Sequence, residues 1–157
     1  MPHLRSRWRT ILVPHDFSSC SNHAAAFARD EAKLHNGRLI LLHVVDLLHF
    51  GPDATLVLPD KSQSPIGMRE YAVRSATVHL DDLLDRLRAD GVPATAAVRF
   101  GNPVDEINRF AAEQAIEIIV MGTHGRTGFR RLVAGSVAER VVRSATAPVL
   151  TVRSPED

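Results

Sequence analysis

The stretch RLILLHVVD, residues 38–46, constrains the fold more than any other part of the chain. As a strand it is apolar on both faces, and such a strand needs helices on both sides of its sheet. Four more short segments read as strands: TILVP (10–14), ATAAVRF (94–100), IEIIVMG (116–122) and APVLTVR (147–153). Helix-like segments separate them. In the first, after residue 20, Ala24, Phe27, Ala28 and Leu34 recur at near-helical spacing, and Asn36-Gly37 supplies a left-handed stop. The second enters at Ser64-Pro65, with serine as cap and proline in the first turn. It carries Leu80, Leu83, Leu84 and Leu87 as one stripe and ends at Asp90-Gly91. The third starts at Asn102-Pro103 and turns Val104, Ile107, Phe110 and Ala111 inward. The fourth opens at Ser136, with Glu139 three residues on as a capping box. Residues 47–64, broken by Gly51, Pro52 and Pro59, read as an irregular excursion.

Strand and helix therefore alternate from end to end. That pattern implies an α/β fold, a parallel sheet between two helix layers with right-handed crossovers. Such sheets bind ligands beyond the carboxyl ends of their strands, where the strand order reverses. At those ends stand PHDFS, HVVD, FGNP and a glycine-rich loop.

A chain of 157 residues is one domain of ordinary size. The expected domain spans 9–153, with 1–8 and 154–157 as flexible termini. The net charge of +1 points to no class of partner, and the densest basic cluster, Arg126, Arg130 and Arg131, lies inside the glycine loop. Nucleic acid is not expected. The single cysteine, Cys20, fits a reducing compartment, and the cytoplasm is the expected location. The longest apolar run, LILLHVV, is too short to cross a bilayer, so no membrane is expected.

The glycine loop carries the chemistry. Its spacing is Gly122-x2-Gly125, nine residues, then Gly135-Ser136. Glycine lets main-chain N–H groups face a ligand with no Cβ in the way, and a run of them makes an anion nest. The helix start adds about half a positive charge and unpaired donors, for which phosphate is the natural guest. The alternative is a long connection with solvated arginines, and spacing alone leaves both open. The chain has neither a G-x-x-x-x-G-K-[ST] loop nor a G-x-G-x-x-G after its first strand.

No nucleophile elbow or water-activating base stands out, so no catalytic residue is assigned. The eight histidines show no H-x-x-x-H spacing, so no metal-ligating set is assigned either. Cys20 reads as inert packing.

ILVPHDFS, LLHVVD, GNP and VMGTHGRTGFRRLVAGSVAERVVRSATAPVLTV together resemble the universal stress protein family over about residues 9–153. The G-2x-G-9x-G-[ST] spacing is similar to that of its ATP-binding branch. The resemblance implies a single-domain, Rossmann-like five-stranded parallel sheet in the order 3-2-1-4-5, with four flanking helices. It implies ATP, with Mg²⁺ arriving on the phosphates, at Pro14, Asp16, Val44, Met121, Gly122, His124, Gly125, Arg126, Gly135, Ser136 and Val137. Asp16 would meet the adenosine end and Val44 the adenine through its backbone. The glycines, His124, Ser136 and Val137 would line phosphates and ribose, and Arg126 would neutralise the γ-phosphate.

The resemblance also implies a homodimer through strand 147–153 and a downstream protein partner of unspecified kind. At most slow hydrolysis or autophosphorylation is expected. The rival readings are a nucleotide-hydrolysing or nucleotidyl-transferring enzyme of the same fold group, and a scaffold dimer that ignores nucleotide. His15 departs from the small or aliphatic residues common before the aspartate. Two orientations stand, toward the base or into the opposite helix layer, and strand alternation favours the second.

Overall fold

The computed structural model describes residues 8–46, 56–57, 65–123 and 136–154. Its elements in chain order are β1 (Thr10–Pro14), α1 (Ser19–His35), β2 (Arg38–Val45), β3 (Leu56–Val57), β4 (Ile66–Gly67), α2 (Met68–Ala89), β5 (Ala94–Phe100), α3 (Pro103–Glu113), β6 (Ile118–Gly122), α4 (Ser136–Ser144) and β7 (Val149–Val152). Five strands form one parallel sheet in the order β5-β2-β1-β6-β7. With β3 and β4 set aside, this is the 3-2-1-4-5 arrangement. The difference in detail is the antiparallel β3/β4 pair, Leu56 against Gly67 and Val57 against Ile66.

Strand alternation sorts the core into two layers. Ile11, Val13, Leu39, Leu41, Ile118 and Val120 pack against α1 and α2. Leu12, Ile40, Leu42, Ile119 and Met121 pack against α3 and α4. Leu80, Leu84 and Leu87 of α2 are buried as the stripe required, with Leu83 packed at its edge. Val104, Ile107, Phe110 and Ala111 of α3 are buried as well.

Three local expectations are corrected. In α1, Phe27 is 37% exposed and Leu34 73% exposed. The inward face is instead small: Cys20, Ser21, Ala24, Ala25, Ala28 and Ala32. A helix that lies close on a sheet presents residues without long side chains, and periodicity alone cannot tell that face from its flank. The second correction concerns the start of α2. It begins at Met68 after Gly67, with no side-chain cap, because Ile66 and Gly67 are drawn into a strand pair with Leu56 and Val57. The third is that 47–64 is not wholly irregular, since β3 lies within it. At the amino end, Trp8 packs on the α1/α2 core and meets the His35 ring edge-on.

Three helices close in the same way. Gly37, Val92 and Ile116 donate their N–H groups back to Ala32, Leu87 and Ala111. The residue before each, Asn36, Gly91 and Ala115, has positive φ (51°, 80° and 49°). This is the Schellman closure.

Candidate functional site

The register of the sheet assembles the site. β1 pairs with β2 as far as Pro14 opposite Leu42, and Asp16 and Val44 each follow two residues beyond that last pair. β1 pairs with β6 through Leu12 opposite Ile119, which sets Pro14 level with Met121. β1 and β6 are neighbours whose chains then leave in opposite directions along the sheet, β1 toward β2 and β6 toward β7. This is the reversal point at which such sheets take ligands. Pro14, Asp16, Val44, Met121 and Gly122 thus meet at one end of adjacent strands. The start of α4 at Ser136 belongs to the same β6-to-β7 crossover.

Val44 and Val137 pack at the margin of the α3/α4 core. Met121 is buried in that core, so what it offers a ligand is main chain. His124, Gly125, Arg126 and Gly135 lie outside the described residues, as does the side chain of Ser136. The capping box therefore stays an expectation; the Glu139 carboxylate accepts a hydrogen bond from Arg143 at 2.6 Å.

The tip of β1 is tightly bonded. The His15 N–H donates to the Leu42 carbonyl at 2.8 Å, the last rung of the ladder. The His15 carbonyl then accepts from His43 Nδ1 at 2.7 Å. The His15 ring is 4% exposed and turned toward α1, where Nε2 meets Asn22 Oδ1 at 3.1 Å. It therefore lies on the helix-layer side, against α1. Its Nδ1 accepts the Phe17 N–H at 3.2 Å, which makes Nε2 the protonated nitrogen.

Burial lowers the His15 pKa to about 4; the charge of Asp16 and the bond to Asn22 oppose the shift, and His43 adds to it. Phe17 turns the chain with φ 66° and packs its ring against His15, His43 and His79. Asp16 Oδ1 accepts the Ser18 N–H at 3.0 Å. Ser18 caps α1, its hydroxyl accepting from the Ser21 N–H at 3.1 Å.

Gly122 has a packing task besides any contact with a ligand. A Cβ there would stand 2.7 Å from Cys20 Sγ and 3.0 Å from the Cys20 carbonyl carbon and oxygen. The first turn of α1 thus sits on the root of the glycine loop. The same turn is tied to the tip of β1 through Ser18 and Asn22, so α1 joins the two ends of the site. Sequence reading missed His43 and Asn22 in these roles, while Cys20, read as packing, is buried against Gly122. The register of β2 against β1 and the rotation of α1 create them, and neither leaves a local signal.

The chain matches the model of the universal stress protein family over residues 7–153. It is 32% identical over 149 residues to Universal stress protein MJ0531 of Methanocaldococcus jannaschii, covering 95% of this chain and 84% of that one. The solved structure of protein MJ0577 superposes with a TM-score of 0.78 at 26% identity, over 96% of this chain and 99% of that one. A universal stress protein from Archaeoglobus fulgidus, solved in complex with dAMP, shares the fold with a TM-score of 0.65 at 23% identity, over 92% and 97%. Sheet order, reversal point and sequence match agree: the chain belongs to the universal stress protein family.

Proposed function

We propose that this protein binds ATP at the reversal point between β1 and β6 and uses the nucleotide as a conformational or partner signal. The observation that carries the reading is the convergence of Asp16, Val44 and Gly122 at one end of neighbouring strands. Asp16 and the Val44 main chain stand where the nucleoside end would lie. The G-2x-G-9x-G-S loop, which leads from β6 to the start of α4, would supply amides to the phosphates. A relative of this fold takes dAMP, an adenine nucleotide.

Among the described residues no cluster of three ligating side chains could hold a metal ion. Mg²⁺ would come bound to the phosphates and water. Four charge-assisted hydrogen bonds of roughly 1.5–3 kcal/mol each gross about 6–12 kcal/mol before the cost of ordering the loop, a bracket that spans micromolar binding at about −8 kcal/mol. The protein would act as a homodimer paired along 147–153, where among the described residues β7 ends the sheet with one edge unpartnered. No helix among the described residues is long and apolar enough to cross a membrane.

Calorimetric titration with ATP, ADP and AMP tests the reading. The expected result is ATP binding near the micromolar range, lost in a folded Gly125→Val variant. Undiminished binding by that variant removes the loop from the site, and no binding of any of the three to the wild type removes the function.

A further inference from the structure

We propose that His15 is a positioning residue for Asp16, whose ring closes a turn around the aspartate and holds its carboxylate in place for the nucleoside. The inference rests on the nucleotide-binding reading above and goes beyond it in naming what sets the geometry of that site. The last rung between β1 and β2 is the His15 N–H on the Leu42 carbonyl, and beyond it the chain turns from the strand. The contact from His15 Nδ1 to the Phe17 N–H spans Asp16 and closes a small ring with Asp16 inside it. Phe17 takes positive φ, a strained conformation for a non-glycine residue that persists only where neighbours hold it.

Two further bonds anchor that ring from either side. Nε2 ties the imidazole to Asn22 in the first turn of α1, and His43 Nδ1 ties the His15 carbonyl to β2. The Asp16 peptide is therefore held from three directions: by its own turn, by α1 and by β2. An aliphatic side chain at 15 would fill the same space and provide neither ring contact. The ring itself faces α1, so its effect on a ligand passes through Asp16 rather than through contact.

The two nitrogens do separable work, and that supplies the test. His15→Asn can place an amide oxygen near the Nδ1 position and keep the acceptor for Phe17. His15→Gln can place an amide nitrogen near the Nε2 position and keep the donor to Asn22. His15→Leu keeps bulk and loses both. ATP affinity and urea stability are measured together for the wild type and the three variants.

The expected result is that His15→Asn binds ATP within about threefold of wild type, while His15→Gln and His15→Leu bind about five- to tenfold more weakly, the worth of one hydrogen bond. Wild-type affinity in His15→Leu overturns the proposal. So does affinity that follows overall stability across the series rather than the acceptor for Phe17. Should any variant fail to fold, the wild type decides: ¹⁵N spectroscopy must find His15 as the Nε2–H tautomer with Phe17 N–H coupled to Nδ1, and the opposite tautomer overturns the assignment. A wild type that binds no nucleotide sinks the function itself, a result distinct from variants that bind like wild type.

Discussion

His15 is the residue at which burial and titration meet. Its pKa is about 4 in the folded chain against 6.5 for the free side chain, so the unfolded state takes up the proton first as pH falls. The stability involved is fully present above pH 6.5 and is lost progressively between 6.5 and 4. The loss approaches about 3 kcal/mol at the lower end. Urea midpoints followed across this window should show the decline, and His15→Gln should flatten it. A wild-type profile that stays level from pH 7 to 4.5 would show that the ring is not held neutral. The protonated ring also loses its acceptor for Phe17, so the turn at Asp16 and the stability of the fold respond to the same proton.

At the scale of elements, the helix ends show which local signals were legible. Asn102 caps α3 as its sequence suggests, its side chain accepting from Val104 at 3.0 Å and Asp105 at 3.4 Å, with Pro103 in the first turn. Asn36 and Gly91 occupy the left-handed positions that close α1 and α2, and both suit that conformation. Ala115 closes α3 in the same geometry without being suited to it. Ala115→Gly is expected to raise stability by about 0.5–1 kcal/mol, read as a shift in urea midpoint at unchanged slope. A loss of stability would show that the Ala115 methyl packs more favourably than its backbone strain costs.

The start of α2 and the inner face of α1 were not legible, for a shared reason. Ser64-Pro65 is a strong local entry, but the pairing of Ile66 and Gly67 with Leu56 and Val57 takes those residues into a strand. Phe27 and Leu34 fit a helical period, but the close seat of Cys20 on Gly122 rotates the alanines inward. In both cases a contact distant in sequence overrode a local preference.

At the scale of the whole molecule, the edge of β7, which ends the sheet among the described residues, is the feature with a consequence for assembly. Ile119 and Thr123 donate their N–H groups to the carbonyls of Pro148 and Val152, so alternate β7 residues face β6. Val149 and Thr151 turn their main-chain groups outward. A Thr151→Pro substitution removes one outward N–H and leaves the inward ladder intact. Light scattering is expected to find the wild type dimeric and the Thr151→Pro variant largely monomeric, with an unchanged far-ultraviolet spectrum. A variant that stays dimeric would place the interface elsewhere.

Hydropathy alternation by itself determined the two-layer architecture, the order of the elements and the strand tips at which a ligand would sit. Those follow from local chemistry, because a strand apolar on both faces has few ways to be covered. The tertiary structure alone decided which groups hold those tips in place. The clasp of His43 on the His15 carbonyl depends on the register of β2 against β1, and the seat of Cys20 on Gly122 depends on the rotation of α1. Both join residues that neighbour each other only after the sheet has formed, and no short-range pattern in a chain encodes such a distance.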